Sequence, residues 1–109
     1  MLYRGILAAL LATTATFGDT INVPGDYPTI QRAIEIAQEG DTVLVAPGTY
    51  YESINFLGKG ILVLGANGAG ETIIDASQIK QGTAPVVAFY SQEQSDSVLD
   101  GFTLTGGTG

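Results

Sequence analysis

The sequence predicts an all-β solenoid whose N-terminal end is covered by one short α-helix. Three observations support this fold class. Helical periodicity occurs once, just before Gly40, and no second helical pattern follows it. After Gly40 come seven short apolar runs separated by Gly, Asn, Ser and Gln. Each run is too short to form a core by itself, so the apolar faces can be buried only if successive turns of the chain stack.

The first 18 residues are predicted to be a signal peptide. One basic residue precedes the apolar run 5–12, which is too short to span a bilayer, and small residues follow it. Cleavage is expected after Ala15 or after Gly18, with a threonine at the −3 position in either case, and a buried apolar helix is the alternative. We therefore divide the chain into a leader, 1–18, and a β domain, 19–109, and expect a secreted or cell-surface protein.

Composition excludes several classes of function. The 109 residues carry a formal net charge of −7 and contain neither cysteine nor histidine. The acidic surface argues against nucleic acid as a partner, and no membrane span is expected in the mature chain. A Ser-His-Asp triad, a Cys-His pair, a typical zinc site and a disulfide are all excluded by the residue types present.

A short strand and the amphipathic helix come first in the mature chain. Residues 20–24 alternate between apolar and polar as a half-buried strand does. Either Asp26 or Thr29 is expected to cap the N-terminus of the helix, and Gly40 is expected to end it. One face of the helix carries the apolar residues at the i, i+3, i+4, i+7 spacing, Ile30, Ala33, Ile34 and Ala37.

The apolar runs after the helix recur with a loose period, which predicts about two coils of three strands each. A turn between two of these strands is expected at the Gly-rich segment 65–70. A phosphate loop is excluded there, because a strand-like segment follows instead of a helix and the sequence Gly-Lys-Ser/Thr is missing. The start-to-start spacings are 29 from Val43 to Thr72, 30 from Thr72 to Phe102, 32 from Ile54 to Val86 and 36 from Ile61 to Ser97.

An antiparallel sandwich is the structural alternative. It is less favoured because tight two-residue hairpin turns are missing, and the Asn-Gly pair at 67–68 lies in a longer Gly-rich loop. For the stacked interior we predict Val43, Val45, Ile54, Phe56, Ile73, Val87 and Leu104.

Three stretches together resemble a known superfamily: INVPGDYPTIQRAIEIAQEGDTVLVAPGTYYESI, GILVLGANGAGETIIDAS and SVLDGFTLTGG. They resemble the N-terminal part of right-handed parallel β-helix proteins of the pectin-lyase-like superfamily, and the opening is similar to that of pectin methylesterases. The resemblance covers nearly the whole mature chain. It implies a single-stranded, three-sheet, right-handed parallel β-helix with a capping helix, further coils after Gly109, and extracellular polysaccharide as partner.

The same resemblance leaves the activity open. Family enzymes carry their catalytic residues on later coils, as paired aspartates with an arginine in the esterases and as calcium-binding acids with a basic residue in the lyases. None of these motifs can be matched in this chain, so no catalytic residue is assigned. Three hypotheses follow: a β-helix scaffold that binds or acts on polysaccharide, the N-terminal fragment of a pectate lyase or pectinesterase, and a structural or adhesive cell-surface protein.

Tyr50 and Tyr51 are the candidate substrate-binding residues. Adjacent aromatic side chains can offer a face to a sugar ring, although such a pair more often packs over its own turn with one ring half exposed. Lys59 and Lys80 lie in loops flanked by Gly or Gln, and we expect both to be solvated.

Three acids near strand ends, Asp75, Asp96 and Asp100, could in principle supply oxygen ligands for Ca²⁺. Their spacing fits neither an EF-hand nor the glycine-rich calcium nonapeptide, so solvation or hydrogen bonding to nearby amides is favoured. No metal and no cofactor is expected for this chain, and Ca²⁺ is compatible with the full-length protein.

Overall fold

The computed structural model describes residues 18–79, 85–88 and 97–107. Within these ranges the chain forms one helix and nine strands. They are β1 (Thr20–Val23), α1 (Ile30–Ile36), β2 (Thr42–Val45), β3 (Gly48–Tyr50), β4 (Ile54–Asn55), β5 (Leu62–Gly65), β6 (Thr72–Asp75), β7 (Val87–Ala88), β8 (Val98–Asp100) and β9 (Thr103–Thr105).

All strand pairs of the described residues are parallel, and they fall into three sheets. Sheet A has the order β1-β2-β5-β8, sheet B the order β3-β6-β9, and sheet C contains β4 and β7. After α1 the chain visits sheets A, B and C in a fixed sequence and then returns to sheet A. The architecture is consistent with the predicted all-β solenoid, and the antiparallel alternative is wrong for this part of the chain.

The core lies between the sheets, and every second residue of β1, β2 and β6 is buried in it. Val43 and Val45 of β2 are fully buried, as is Val63, which pairs with Val43 in the next strand of sheet A. Phe56, just after β4, is the largest fully buried side chain of the described residues. Parallel pairing in register therefore stacks like side chains above one another and buries each column between its neighbours.

The helix α1 covers the end of this stack that carries the first strands. It packs against β1, β2 and β4, and its Ile30, Ala33 and Ile34 are fully buried, as the helical periodicity predicts. Ala37, the fourth residue of the predicted face, is buried at the C-cap position. No helix of the described residues is long and apolar enough to cross a membrane.

Most of the predicted interior is confirmed. Val43, Val45, Ile54 and Phe56 are buried, and Val87 is partly buried against the core. The predicted place of Ile73 in the interior is wrong. In β6 the inward positions are Thr72 and Ile74, both fully buried, and Ile73 lies between them on the outer face. A one-residue error of this kind exchanges the two faces of a strand, because side chains alternate with a period of two.

Leu104 differs for another reason. It pairs with the fully buried Ile74, so it occupies an inward-facing column, yet it is 45% exposed. The strand β9 is the last strand of sheet B among the described residues, and no described strand lies beyond it. The predicted orientation of Leu104 thus agrees with the register, whereas its predicted burial does not.

The spacing of the repeats is confirmed in sheet A and in part of sheet B. Leu62 pairs with Val98, which is the predicted offset of 36, and the predicted offset of 30 links Ile73 to Thr103. The predicted match of Val43 with Thr72 is wrong, because Val43 pairs with Val63 in sheet A and Thr72 belongs to sheet B. In sheet A the first coil runs from Thr42 to its partner Leu62 and the second from Leu62 to Val98. The first coil is the shorter because the turns differ in length, so a single sequence period cannot align the strands of both coils.

Candidate functional site

The candidate tyrosines lie at the end of β3, where Tyr50 is the last residue of the strand and Tyr51 follows it. The Tyr50 hydroxyl donates a hydrogen bond of 2.8 Å to the carbonyl oxygen of Ala46, and the ring lies over Gly48, so Tyr50 packs on its own turn. Partial burial raises the pKa of Tyr50, and the nearby charge of Glu52 raises it further. Tyr51 is 54% exposed. Of the two side chains, that of Tyr51 is the more open to a ligand, because Tyr50 is partly buried against the core.

Glu52, the next residue, binds the N-terminus of α1. Its two carboxylate oxygens accept hydrogen bonds from the backbone N–H groups of Ile30, at 2.8 Å, and of Gln31, at 2.9 Å. The N-cap is Thr29, one of the two predicted residues, whose hydroxyl accepts from the N–H of Arg32 at 3.1 Å. Three of the N–H groups that a helix leaves without partners at its N-terminus are thereby satisfied.

Lys59 binds the opposite end of the same helix. Its ammonium group donates three hydrogen bonds to carbonyl oxygens, at 2.8 Å to Ile34, 2.8 Å to Glu35 and 2.7 Å to Ala37. The expectation that Lys59 is solvated is therefore wrong, because the side chain reaches back across the loop to the carbonyls that end α1. The helix ends at Ile36 with Ala37 as its C-cap, so the prediction that Gly40 ends it is wrong. Gly40 has a positive φ of 87° and lies in the turn before β2.

The charges of α1 explain why these two residues come from outside the helix. A helix has a partial positive charge at its N-terminus and a partial negative charge at its C-terminus. Arg32 lies in the first turn of α1 and Glu35 in the last, which is the unfavourable order, and they pair with each other at 3.1 Å on the surface. Glu52 and Lys59 supply the favourable charges that α1 itself lacks.

Gln31 joins the helix to sheet C. Its side-chain carbonyl oxygen accepts from the N–H of Asn55 at 2.8 Å, and its amide nitrogen donates to the carbonyl oxygen of Asn55 at 3.2 Å. The strand β4 pairs with β7 on one edge, so Gln31 occupies hydrogen-bonding groups on its other edge. An exposed strand edge is a template for unwanted pairing, and here the helix side chain covers it. We call Glu52, Lys59 and Gln31 the cap clamp.

The sequence does not predict the contacts of the cap clamp. Its partners are 21 to 25 positions away along the chain, so no local motif contains them. One signal was available. The helix carries its own charges in the unfavourable order. Two residues of opposite charge, Glu52 and Lys59, lie on either side of β4. That combination points to capping from a neighbouring coil.

Two of the three predicted acids are described, and they lie in different sheets, Asp75 in sheet B and Asp100 in sheet A. Asp96 and Lys80 lie outside the described residues. Hydrogen bonds from the side chain and the backbone of Ser77 hold the pKa of Asp75 below its usual value. Among the described residues, no group of three acidic, histidine or cysteine side chains is placed to hold a metal ion.

Comparisons of this chain with protein-family models, with curated proteins and with solved structures found no match.

Proposed function

We propose that this chain is the capped N-terminal part of an exported, right-handed parallel β-helix, and that the complete β-helix binds or acts on extracellular polysaccharide. The observation that carries the proposal is the repeated passage of the chain through three parallel sheets in register. Such stacking produces columns of outward-facing side chains at the spacing of neighbouring strands, about 4.8 Å. A linear polymer with a repeating unit can lie along columns of this kind.

The described part of the chain acts as the closed end of that scaffold. The helix buries its apolar face on the first strands, and the cap clamp satisfies both helix ends and the free edge of β4. Stacked-repeat proteins need such an end, because their outermost repeat otherwise presents apolar surface and unpaired backbone groups to solvent.

Further coils after Gly109 are part of the proposal. The inward-facing Leu104 is 45% exposed, and Leu99, which pairs with the fully buried Val63, is only partly buried. Another coil in the same register would cover both side chains and pair with β8 and β9. If the gene encodes a longer protein, slow hydrogen exchange of the β8 and β9 amides in that protein supports the proposal. A stop codon directly after Gly109, together with a 109-residue product that unfolds cooperatively as a monomer, contradicts it.

The sugar contact is proposed at Tyr51, whose ring is exposed beside the end of β3. The test is binding of the longer protein to an array of plant and bacterial polysaccharides. We expect Tyr51→Ala to weaken binding about 2- to 13-fold, as for the loss of one aromatic contact worth about 0.5–1.5 kcal/mol. Tyr51→Phe keeps the ring and should bind normally, and Ile36→Ala, which removes an exposed side chain from α1, is the matched control.

The outcomes separate the three hypotheses. Binding without turnover supports the scaffold, and release of unsaturated uronic acids or of methanol identifies a lyase or an esterase. No binding to any polysaccharide, together with attachment to the cell surface, favours the structural or adhesive protein. Equal binding by the wild type and Tyr51→Ala removes Tyr51 from the site.

A further inference from the structure

Asp41 has a buried carboxylate whose partners are neutral. The residue is only 9% exposed. One carboxylate oxygen accepts a hydrogen bond of 2.9 Å from the backbone N–H of Asp19, and the other accepts one of 2.8 Å from the N–H of Gln38. A cation at this place would add charge–charge attraction to the two hydrogen bonds that the carboxylate already accepts.

The surroundings of Asp41 contain negative charge and no described cation. The groove beside it is lined by the titratable residues Asp19, Asp26, Tyr27 and Asp41, and by Thr20, Ile21, Ile36 and Gln38. The ammonium of Lys59, on the neighbouring loop, is already bound to the carbonyl oxygens of α1, and the nearby Glu39 accepts from the N–H of Gly60. A positive charge in this groove would meet attraction from several carboxylates.

We propose that the signal peptide is cleaved between Gly18 and Asp19, and that the α-ammonium group released on Asp19 forms an ion pair with Asp41. This rests on the export that the proposed function includes. Cleavage is a hydrolysis by the exporting cell's signal peptidase: water adds across the Gly18–Asp19 amide, Gly18 leaves with the new carboxylate, and the amine of Asp19 takes up a proton. The nitrogen atom that now donates to Asp41 at 2.9 Å then carries a full positive charge.

Cleavage after Ala15, the other expected position, would not do this. Three residues would remain ahead of Asp19, its nitrogen would stay an amide, and Asp41 would keep only neutral donors. The two positions also differ in what happens to Gly18. A Cβ atom at Gly18 would overlap the carbonyl group of Gly40, so a product that retains this residue has no room for alanine there.

The first test is the mass of the product exported by cells that express the full chain. We expect a mature chain that begins at Asp19. A product that begins at Thr16 overturns this inference and leaves export intact, whereas an uncleaved precursor retained in the cell overturns both.

Gly18→Ala provides a matched variant, because alanine at the −1 position remains a good cleavage site. If Gly18 is removed, the mature variant has the same mass and the same unfolding midpoint as the wild type. If Gly18 is retained, the mature variant is about 14 Da heavier than the mature wild type, because alanine adds one methylene group. It is also destabilised, because the added Cβ overlaps the carbonyl group of Gly40. The second result overturns the inference.

The second test measures the ion pair through pH. Chains that begin at Asp19 are prepared with a free or an acetylated α-amino group, each with Asp41 or with Asp41→Asn. An α-amino group has an ordinary pKa of about 7.7–8.0, and pairing raises it in the folded state. Its contribution to stability is therefore complete below about pH 7.7 and is lost as the pH rises through the raised value.

At pH 6.5 we expect acetylation to increase the unfolding equilibrium constant roughly fivefold, because a charged donor is replaced by a neutral one. The difference should vanish near pH 10 and in the Asp41→Asn pair, whereas Asp26→Asn, in the same groove, should keep it. If Asp41→Asn does not fold, the free and acetylated native sequences still decide the matter. An effect of acetylation that is independent of pH, or none at pH 6.5, overturns the ion pair.

Discussion

Replacing Lys59 by methionine should destabilise the protein by about 2 kcal/mol. The variant keeps most of the aliphatic stem and removes only the ammonium group, which donates to the carbonyl oxygens of Ile34, Glu35 and Ala37 at 2.7–2.8 Å. A hydrogen bond to a charged group contributes about 1.5–3 kcal/mol, and a cation at a helix C-terminus about 0.3–1 kcal/mol. The three bonds share one charge, and the freed carbonyls can be hydrated, so the contributions do not add in full.

The assay is urea denaturation followed by circular dichroism. The free energies of unfolding of the wild type and the variant are compared, provided that their m-values are equal. Arg32→Met is the matched control, since Arg32 also lies on α1 but pairs with Glu35 on the surface, where an ion pair contributes about 0–1 kcal/mol. A loss below about 0.5 kcal/mol for Lys59→Met, or equal losses for both variants, would refute the role given to Lys59.

Three further predictions concern the cap clamp and Tyr50. Glu52→Gln should lower the free energy of unfolding by about 1–2 kcal/mol in the same assay, because a neutral amide replaces the carboxylate at the helix N-terminus; an unchanged midpoint would contradict this. Gln31→Ala should speed hydrogen exchange at the Asn55 amide about tenfold, since that amide loses its partner, and unaltered exchange would contradict the edge role. Tyr50→Phe should lose about 1 kcal/mol with the bond to Ala46. Because the pKa of Tyr50 is raised in the folded protein, its hydroxyl contributes fully to the free energy of unfolding below about pH 10. This contribution is lost as the pH rises through the raised pKa, and the phenylalanine variant should not show that alkaline loss of stability.

Several features of the fold could be predicted from local sequence. The helix face is confirmed because burial of Ile30, Ala33 and Ile34 follows from a period that one short segment contains. The first strand, 20–23, is likewise readable from its alternation and its Pro-Gly ending. A turn is found one residue later than predicted, at 66–71 instead of 65–70, because Gly65 is the last residue of β5 and β6 begins at Thr72.

Prediction was less accurate wherever two segments had to be aligned. Ile73 and Ile74 are equally apolar, and only the pairing of β6 with β3 and β9 decides which of them faces the core. The candidate site shows the same limit. Tyr50 and Tyr51 could be named from the sequence, but which ring is free depends on the turn that brings Tyr50 over Ala46 and Gly48.

One amphipathic helix followed by short strands that must stack can be predicted from local sequence, because periodicity and turn chemistry are properties of neighbouring residues. The contacts of the charged residues depend on the tertiary structure. Glu52, Lys59 and Asp41 each act on backbone groups, which every residue carries and which no sequence pattern distinguishes. Their partners are selected by the register of the strands and the lengths of the turns, and those are settled only when the whole stack has formed.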